Sequence, residues 1–209
     1  MNKDLASRFR GFLPIVIDVE TGGVNPAKDG LLEIAAISIS MDEQGLIHPD
    51  QIYHYHVIPF EGANLDPAAL AFNKIDPFHP FRFAVPEMQA LKELFSATSK
   101  ECKQKNCSRA VIVGHNAWFD QQFINAAVDR CKLSHNPYHR FTSLDTATLS
   151  ALAYGQTVLS RALELAKIPF NIDEAHSALY DAKHTAELFC AIVNRWQALG
   201  GWPLALPTE

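Results

Sequence analysis

The sequence predicts an α/β domain with a mixed sheet, on three observations. Apolar runs rich in Ile and Val dominate the first third of the chain, a compact β-rich run passes into a helical pattern at Gly114, and helical spacing fills most of the last third. Strands first, followed by alternating strand and helix, fit an α/β arrangement better than separate all-α or all-β units.

Taken in order, Phe12 to Val19 and Leu31 to Ser40 read as strands because β-branched residues dominate them, and Gln51 to Ile58 reads as a third because polar and apolar residues alternate. Gly22-Gly23 and Asp42-Glu43-Gln44-Gly45 supply turn residues between them, which favours antiparallel pairing. Asp66 to Phe72 reads as a short helix with Asp66 as cap and Pro67 at its first position, and Val85 to Thr98 as another. Ala110 to Val113 is a strand that ends at Gly114 and feeds a helix from Trp118 to Arg130. Helices follow over Thr146 to Tyr154 and Leu159 to Ala166. From Ala178, the positions Leu179, Ala182, Ala186, Phe189, Ile192, Val193 and Trp196 recur at helical intervals until Gly200, Gly201 and Pro203 stop the pattern.

At 209 residues and 48% hydrophobic side chains, the chain can bury one sizeable core, and no linker or internal repeat divides it, so residues 1–209 read as one domain. No apolar run reaches the roughly 18 residues of a membrane span, and charges occupy the start where a signal peptide would be apolar. The expectation is a cytoplasmic protein. Cys102, Cys107, Cys131 and Cys190 form neither a CxxC pair nor a zinc cluster and read as reduced thiols. The net charge of −5 excludes a protein that coats nucleic acid through overall positive charge. Arg8 and Arg10 around Phe9, and Lys100, Lys103, Lys105 and Arg109, are local basic segments that on spacing alone read as solvated faces.

Asp18 and Glu20 in IVIDVET carry the chemistry. Residues two apart on a strand share a face, and two acids at the end of an apolar run repel unless a cation joins them. An isolated DxE reads more readily as a strand that ends at Ile17, with both acids solvated or capping a turn. Asp120 in GHNAWFD follows the second β-rich run, and Asp181 in HSALYD comes five residues after His176. On a regular helix that interval separates two side chains by about 140°. His176 and Asp181 therefore meet only if the histidine precedes the helix and the acid opens it. Four carboxylates suit Mg²⁺, a hard cation that also takes phosphate oxygens, and a histidine titrates near neutrality. Such a set can cleave a phosphodiester with two ions about 4 Å apart.

DVET, HNAWFD and HSALYD in this order resemble the DEDDh exonucleases, the superfamily of the proofreading subunit of bacterial DNA polymerase III. RFRGF, LLEIAAI, MDEQG, ANLDPAALAFNKIDP, GQTVLS, AHSALYD and LFCAIVNRW followed by GGWPL narrow the resemblance to the ribonuclease T family over nearly the whole chain. The resemblance implies a ribonuclease H-like fold with a five-stranded mixed sheet flanked by helices. It also implies a 3′→5′ exoribonuclease that trims single-stranded 3′ ends of transfer RNA and other stable RNAs and releases 5′-mononucleotides. Asp18, Glu20, Asp120 and Asp181 would hold two Mg²⁺, with His176 as general base. Phe72, Phe119 and Phe141 match family aromatics that stack on terminal bases, whereas spacing alone assigns them to the core. Arg8, Arg10, Lys103 and Arg109 match a basic patch that, in the family's homodimer, faces the partner's active site. Two positions depart: Val24 replaces a stacking phenylalanine and Ala68 a glutamate near the terminal base. A single-stranded DNA exonuclease of repair or proofreading is the alternative with the same fold. A silent RNA-binding module is a third reading, against which the complete set of acids argues.

Overall fold

The computed structural model describes residues 4–202, so Pro203, expected to end the last helical pattern, lies outside the described residues. A six-stranded sheet forms the centre, with strands β1 (Phe12–Thr21), β2 (Leu31–Met41), β3 (Ile47–Ile58), β4 (Val85–Pro86), β5 (Arg109–Gly114) and β6 (Tyr138–Asp145) in the order β4-β3-β2-β1-β5-β6. β1 pairs antiparallel with β2, and β2 with β3. β5 lies parallel to β1, β6 parallel to β5, and β4 parallel to the end of β3. The sheet is mixed, as expected, but it has six strands rather than five. The additional edge strand is only two residues long, Val57 and Ile58 pairing with Val85 and Pro86. A proline there has no N–H to offer a further neighbour, which suits an edge.

Seven α-helices surround the sheet among the described residues: α1 (Leu5–Arg8), α2 (Pro67–Asn73), α3 (Glu87–Gln104), α4 (Trp118–Arg130), α5 (Thr146–Tyr154), α6 (Leu159–Ala166) and α7 (Ala178–Ala198). Asp66 caps α2 by accepting from the backbone N–H of Ala68 at 2.8 Å, with Pro67 at the first position. The helix expected from Val85 begins two residues later and runs to Gln104, because its first two residues pair with β3.

The hairpin between β2 and β3 turns at Gly45, as the Asp42–Gly45 run implies. The β1–β2 connection is longer, residues 22–30, and a side chain at Gly23 would place its Cβ 2.2 Å from Asp29 Oδ2. That crowding admits only glycine.

Leu13, Ile15, Ile17, Ile34, Ile37 and Phe123 are fully buried in the main core, each such side chain contributing about 1.5–3 kcal/mol. Strand alternation assigns the two sides. Asp18 and Glu20 lie on the face covered by the start of α7, where they approach Asp181. Tyr53, in register with Ala36 and through it with Ile17, lies on the other face and donates to Glu101 of α3. A smaller cluster, Ala162, Leu163, Leu188 and Ile192, seals α6 against α7.

Candidate active site

The C-terminal end of β1, the first turn of α4 and the first turn of α7 converge on one point. Asp18, Glu20 and Asp181 each bring a carboxylate oxygen within 4.8 Å of the others. Asp120 is buried in the first turn of α4, and its Oδ1 accepts the backbone N–H of Val19 at 3.0 Å. That bond ties the α4 acid to the strand segment between the two β1 acids. Gly114 makes the approach possible, since a Cβ there would lie 3.1 Å from Asp120 Oδ2 and 3.0 Å from Ala117 Cα. Asp145, at the end of β6, braces the same loop by accepting from Ala117 N at 2.9 Å while capping α5 through Ala147 and Thr148.

His176 lies in the loop before α7, as the five-residue interval requires. Its φ of 70° is left-handed, a conformation that costs a non-glycine residue energy and is retained where the surroundings enforce it. Its backbone N–H donates to Asp181 Oδ2 at 2.8 Å, and its ring sits 3.9 Å, centroid to centroid, from that of Phe72 on α2. The other oxygen of Asp181 is buried without a hydrogen-bond partner.

The carboxyls pay for this proximity in proton affinity. Burial, and then the charges of Asp120, Glu20, Asp181 and Glu33, hold Asp18 well above the usual carboxylate range. Burial and the neighbouring acids, Glu33 first, push Glu20 up to about 8, with Asn73 opposing. Asp120 is pushed up to about 8 by burial against the pull of its backbone hydrogen bonds. Asp181 is raised by burial, and the His176 N–H opposes the shift. Four acids destabilised as anions, with one oxygen orphaned, form a site whose charge a hard divalent cation offsets. The residues present therefore fit Mg²⁺.

An open cavity of about 420 Å³ beside the cluster is lined by Asp18, Val19, His115, Asn116, Trp118, Phe119 and Asp120. Phe119 is half-buried and packs edge-on to the exposed Trp118, their centroids 5.8 Å apart. Phe72, Phe141 and Val24 are 62%, 81% and 81% exposed, so the spacing-based assignment of Phe72 and Phe141 to the core is corrected. Phe72 joins the acids through His176. Phe141 contacts His139, and Val24 stands free on the β1–β2 connection.

Among the expected basic residues, Arg10, Lys103 and Arg109 are exposed. The guanidinium of Arg10 lies over Phe12, whose register partner is Arg109, so these two cations lie at the end of the sheet where the central strands β1 and β5 begin. Lys103 lines a cavity of about 580 Å³ with Lys92, Lys100 and His135. Arg8 is partly engaged, donating to Gly45 O and stacking over Trp202. Lys105 is neutralised by Asp50 and Glu101, at 2.9 and 2.6 Å. Glu33, absent from the motifs, is the residue that sequence reasoning missed. A lone acid inside the apolar LLEIAAI run was the available signal.

The RNase_T exonuclease family matches residues 15–189. Ribonuclease T of Vibrio parahaemolyticus is 58% identical over 201 residues, 96% of this chain and 94% of the relative. Ribonuclease T of Salmonella typhimurium is 58% identical over 205 residues, 98% and 95% of the two chains. Among solved structures, Escherichia coli exonuclease I in complex with a dT13 oligonucleotide superposes with a TM-score of 0.68 at 18% identity. That match covers 90% of this chain and 42% of the other, and shows a shared fold.

Proposed function

The chain belongs to the RNase_T exonuclease family and is a hydrolytic nuclease; from that premise we propose that it is a Mg²⁺-dependent 3′→5′ exoribonuclease that trims single-stranded 3′ ends of transfer RNA and other stable RNAs in the cytoplasm. The observation that supports this most is the convergence of Asp18, Glu20 and Asp181 within 4.8 Å, with Asp120 bonded to the strand between the first two. Asp18, Glu20, Asp120 and Asp181 would hold two Mg²⁺, which would supply charge stabilisation for the attacking and leaving oxygens.

The chain's own residues do the rest. Phe72 and Phe119 hold the terminal bases by stacking, which any base satisfies. His176 accepts a proton from the attacking water as the water oxygen bonds to phosphorus. The bond from phosphorus to the 3′ oxygen of the shortened strand then breaks, that oxygen takes up a proton, and a 5′-mononucleotide leaves. The loop that presents His176 is braced on Asp181, so the base and one acid move as a unit.

No helix among the described residues is long and apolar enough to cross a membrane. Arg8, Arg10, Lys103 and Arg109 act as a phosphate-binding patch, and we place them opposite a partner's active site in a homodimer. The test is end-labelled transfer RNA with Mg²⁺ and with EDTA, beside a DNA strand of matched sequence. Mononucleotides released stepwise from the 3′ end of the RNA, only with Mg²⁺, are expected. Internal cleavage products, or faster digestion of the DNA, would overturn the assignment.

A further inference from the structure

The face of the sheet that carries Asp18 and Glu20 also carries a second cluster of different chemistry. His54 and His56 stand two apart on β3 and so point to one side. Register fixes which side. Glu20 pairs with Glu33 and Glu33 with His56, forming one row across three strands, while Asp18, Ala35 and His54 form the next. Glu33 is 4% exposed, and His54 Nε2 lies 2.5 Å from its Oε1. The two imidazoles sit edge to face with centroids 4.7 Å apart, and Nδ1 of His56 is buried without a hydrogen-bond partner. One ligating atom from each of Glu33, His54 and His56 lies within 4.8 Å of the others.

We propose that Glu33, His54 and His56 form a second metal site, separate from the four-acid cluster, that takes one Zn²⁺. Two imidazoles and one carboxylate match the ligands of three-residue zinc sites, in which the fourth position is left to water or another ligand. Imidazole nitrogen selects zinc-like ions, whereas Mg²⁺ favours an all-oxygen shell and belongs with the acids of β1, α4 and α7. The site accounts for an unpartnered imidazole nitrogen that the exonuclease chemistry leaves idle, and it gives a counter-charge to Glu33, a buried acid outside the three acid motifs that faces Glu20 across the strand pair. Arg82 brings positive charge to the neighbourhood, yet its guanidinium donates to Pro77 O and Leu32 O and is thus engaged with backbone. The ligands arise from adjacent strands of a rigid sheet, so closing them on an ion needs side-chain rotation and no backbone movement.

Calorimetric titration of the full chain with Zn²⁺, in a large excess of Mg²⁺ that fills the carboxylate cluster, reads the site directly. One equivalent of Zn²⁺ per chain is expected in the wild type. The same equivalent should persist in Asp181→Asn, and disappear in His54→Ala and in His56→Ala. A stoichiometry unchanged by both histidine substitutions would overturn the proposal, as would the absence of Zn²⁺ binding by the wild type. Loss of the equivalent in Asp181→Asn alone would assign the ion to the four-acid cluster and overturn it equally. Should a histidine variant fail to fold, the imidazole resonances of the wild type decide. Those of His54 and His56 are expected to shift on Zn²⁺ addition, and unmoved resonances refute the site.

Discussion

At the scale of single residues, the proposed function makes Asp18, Glu20, Asp120 and Asp181 individually indispensable, because losing any one would remove part of the charge proposed to hold the cations. Asp181→Asn or Asp18→Asn should lower the rate of RNA hydrolysis by about 10²-fold or more while leaving the fold intact, read by single-turnover assays beside circular dichroism. Near wild-type turnover in either variant would remove that residue from the ligand set. The raised carboxyls also make a stability prediction. With Glu20 near 8 in the folded chain and 4.5 as its ordinary value, the native state binds more protons than the unfolded state between those limits. Stability without metal therefore falls as pH rises from about 5 to about 8. Thermal unfolding in EDTA should show a lower Tm at pH 8 than at pH 5, less so in Glu20→Gln, with Mg²⁺ restoring the wild type at pH 8 by binding the native state. A slope identical in wild type and Glu20→Gln would contradict this. The motif residues were legible because each acid stands against an apolar or aromatic context. Glu33 carried the same kind of signal, but its grouping with His54 and His56 was not legible, since only strand register brings residues 33 and 56 together.

At the scale of elements, the site depends on how closely α4 can approach β5 and β1. Gly114→Ala puts a methyl group 3.0 Å from the Ala117 backbone and 3.1 Å from Asp120, so the start of α4 must give by a few tenths of an ångström. We expect roughly a tenfold loss of turnover, since catalysis is sensitive to displacements that packing absorbs. A variant with unchanged kinetics would show that Asp120 is not held to this tolerance. Strands β1, β2, β3 and β5 and every helix after α1 were legible: α5 and α6 occupy the residues that their spacing predicts, and α7 starts where the HSALYD motif requires. β6 was not legible because its burial lacks alternation, with Tyr138 alone buried and Arg140 and Phe141 exposed. β4 was hidden inside a helix pattern, since two residues carry too little periodicity to be told apart from the first turn of α3.

At the scale of the whole molecule, a chain of net charge −5 must draw its affinity for RNA from a local patch. Replacing Arg8, Arg10, Lys103 and Arg109 together should raise KM on transfer RNA and flatten the dependence of binding on salt, with a dinucleotide affected far less. Arg8 should contribute least, because Gly45 O and Trp202 already engage it. An unchanged salt slope in the quadruple variant would return these residues to an ordinary solvated surface. Sedimentation adds a second check, for a monomer fully active on long RNA would exclude feeding between subunits. The contact between Phe72 and His176 joins α2 to the loop before α7. In the proposed function, a base that stacks on Phe72 would settle beside the imidazole, whose ring centroid lies 3.9 Å from that of Phe72. Stacking and proton transfer would thereby be geared to each other, since the histidine rests on the aromatic ring that is proposed to receive the base. An RNA whose last residue lacks its base should accordingly bind more weakly than its parent and also be cleaved more slowly, so that kcat falls as well as affinity. The enzyme would register the arrival of a nucleotide before it acts, a mechanical latch in which the terminal base is the key.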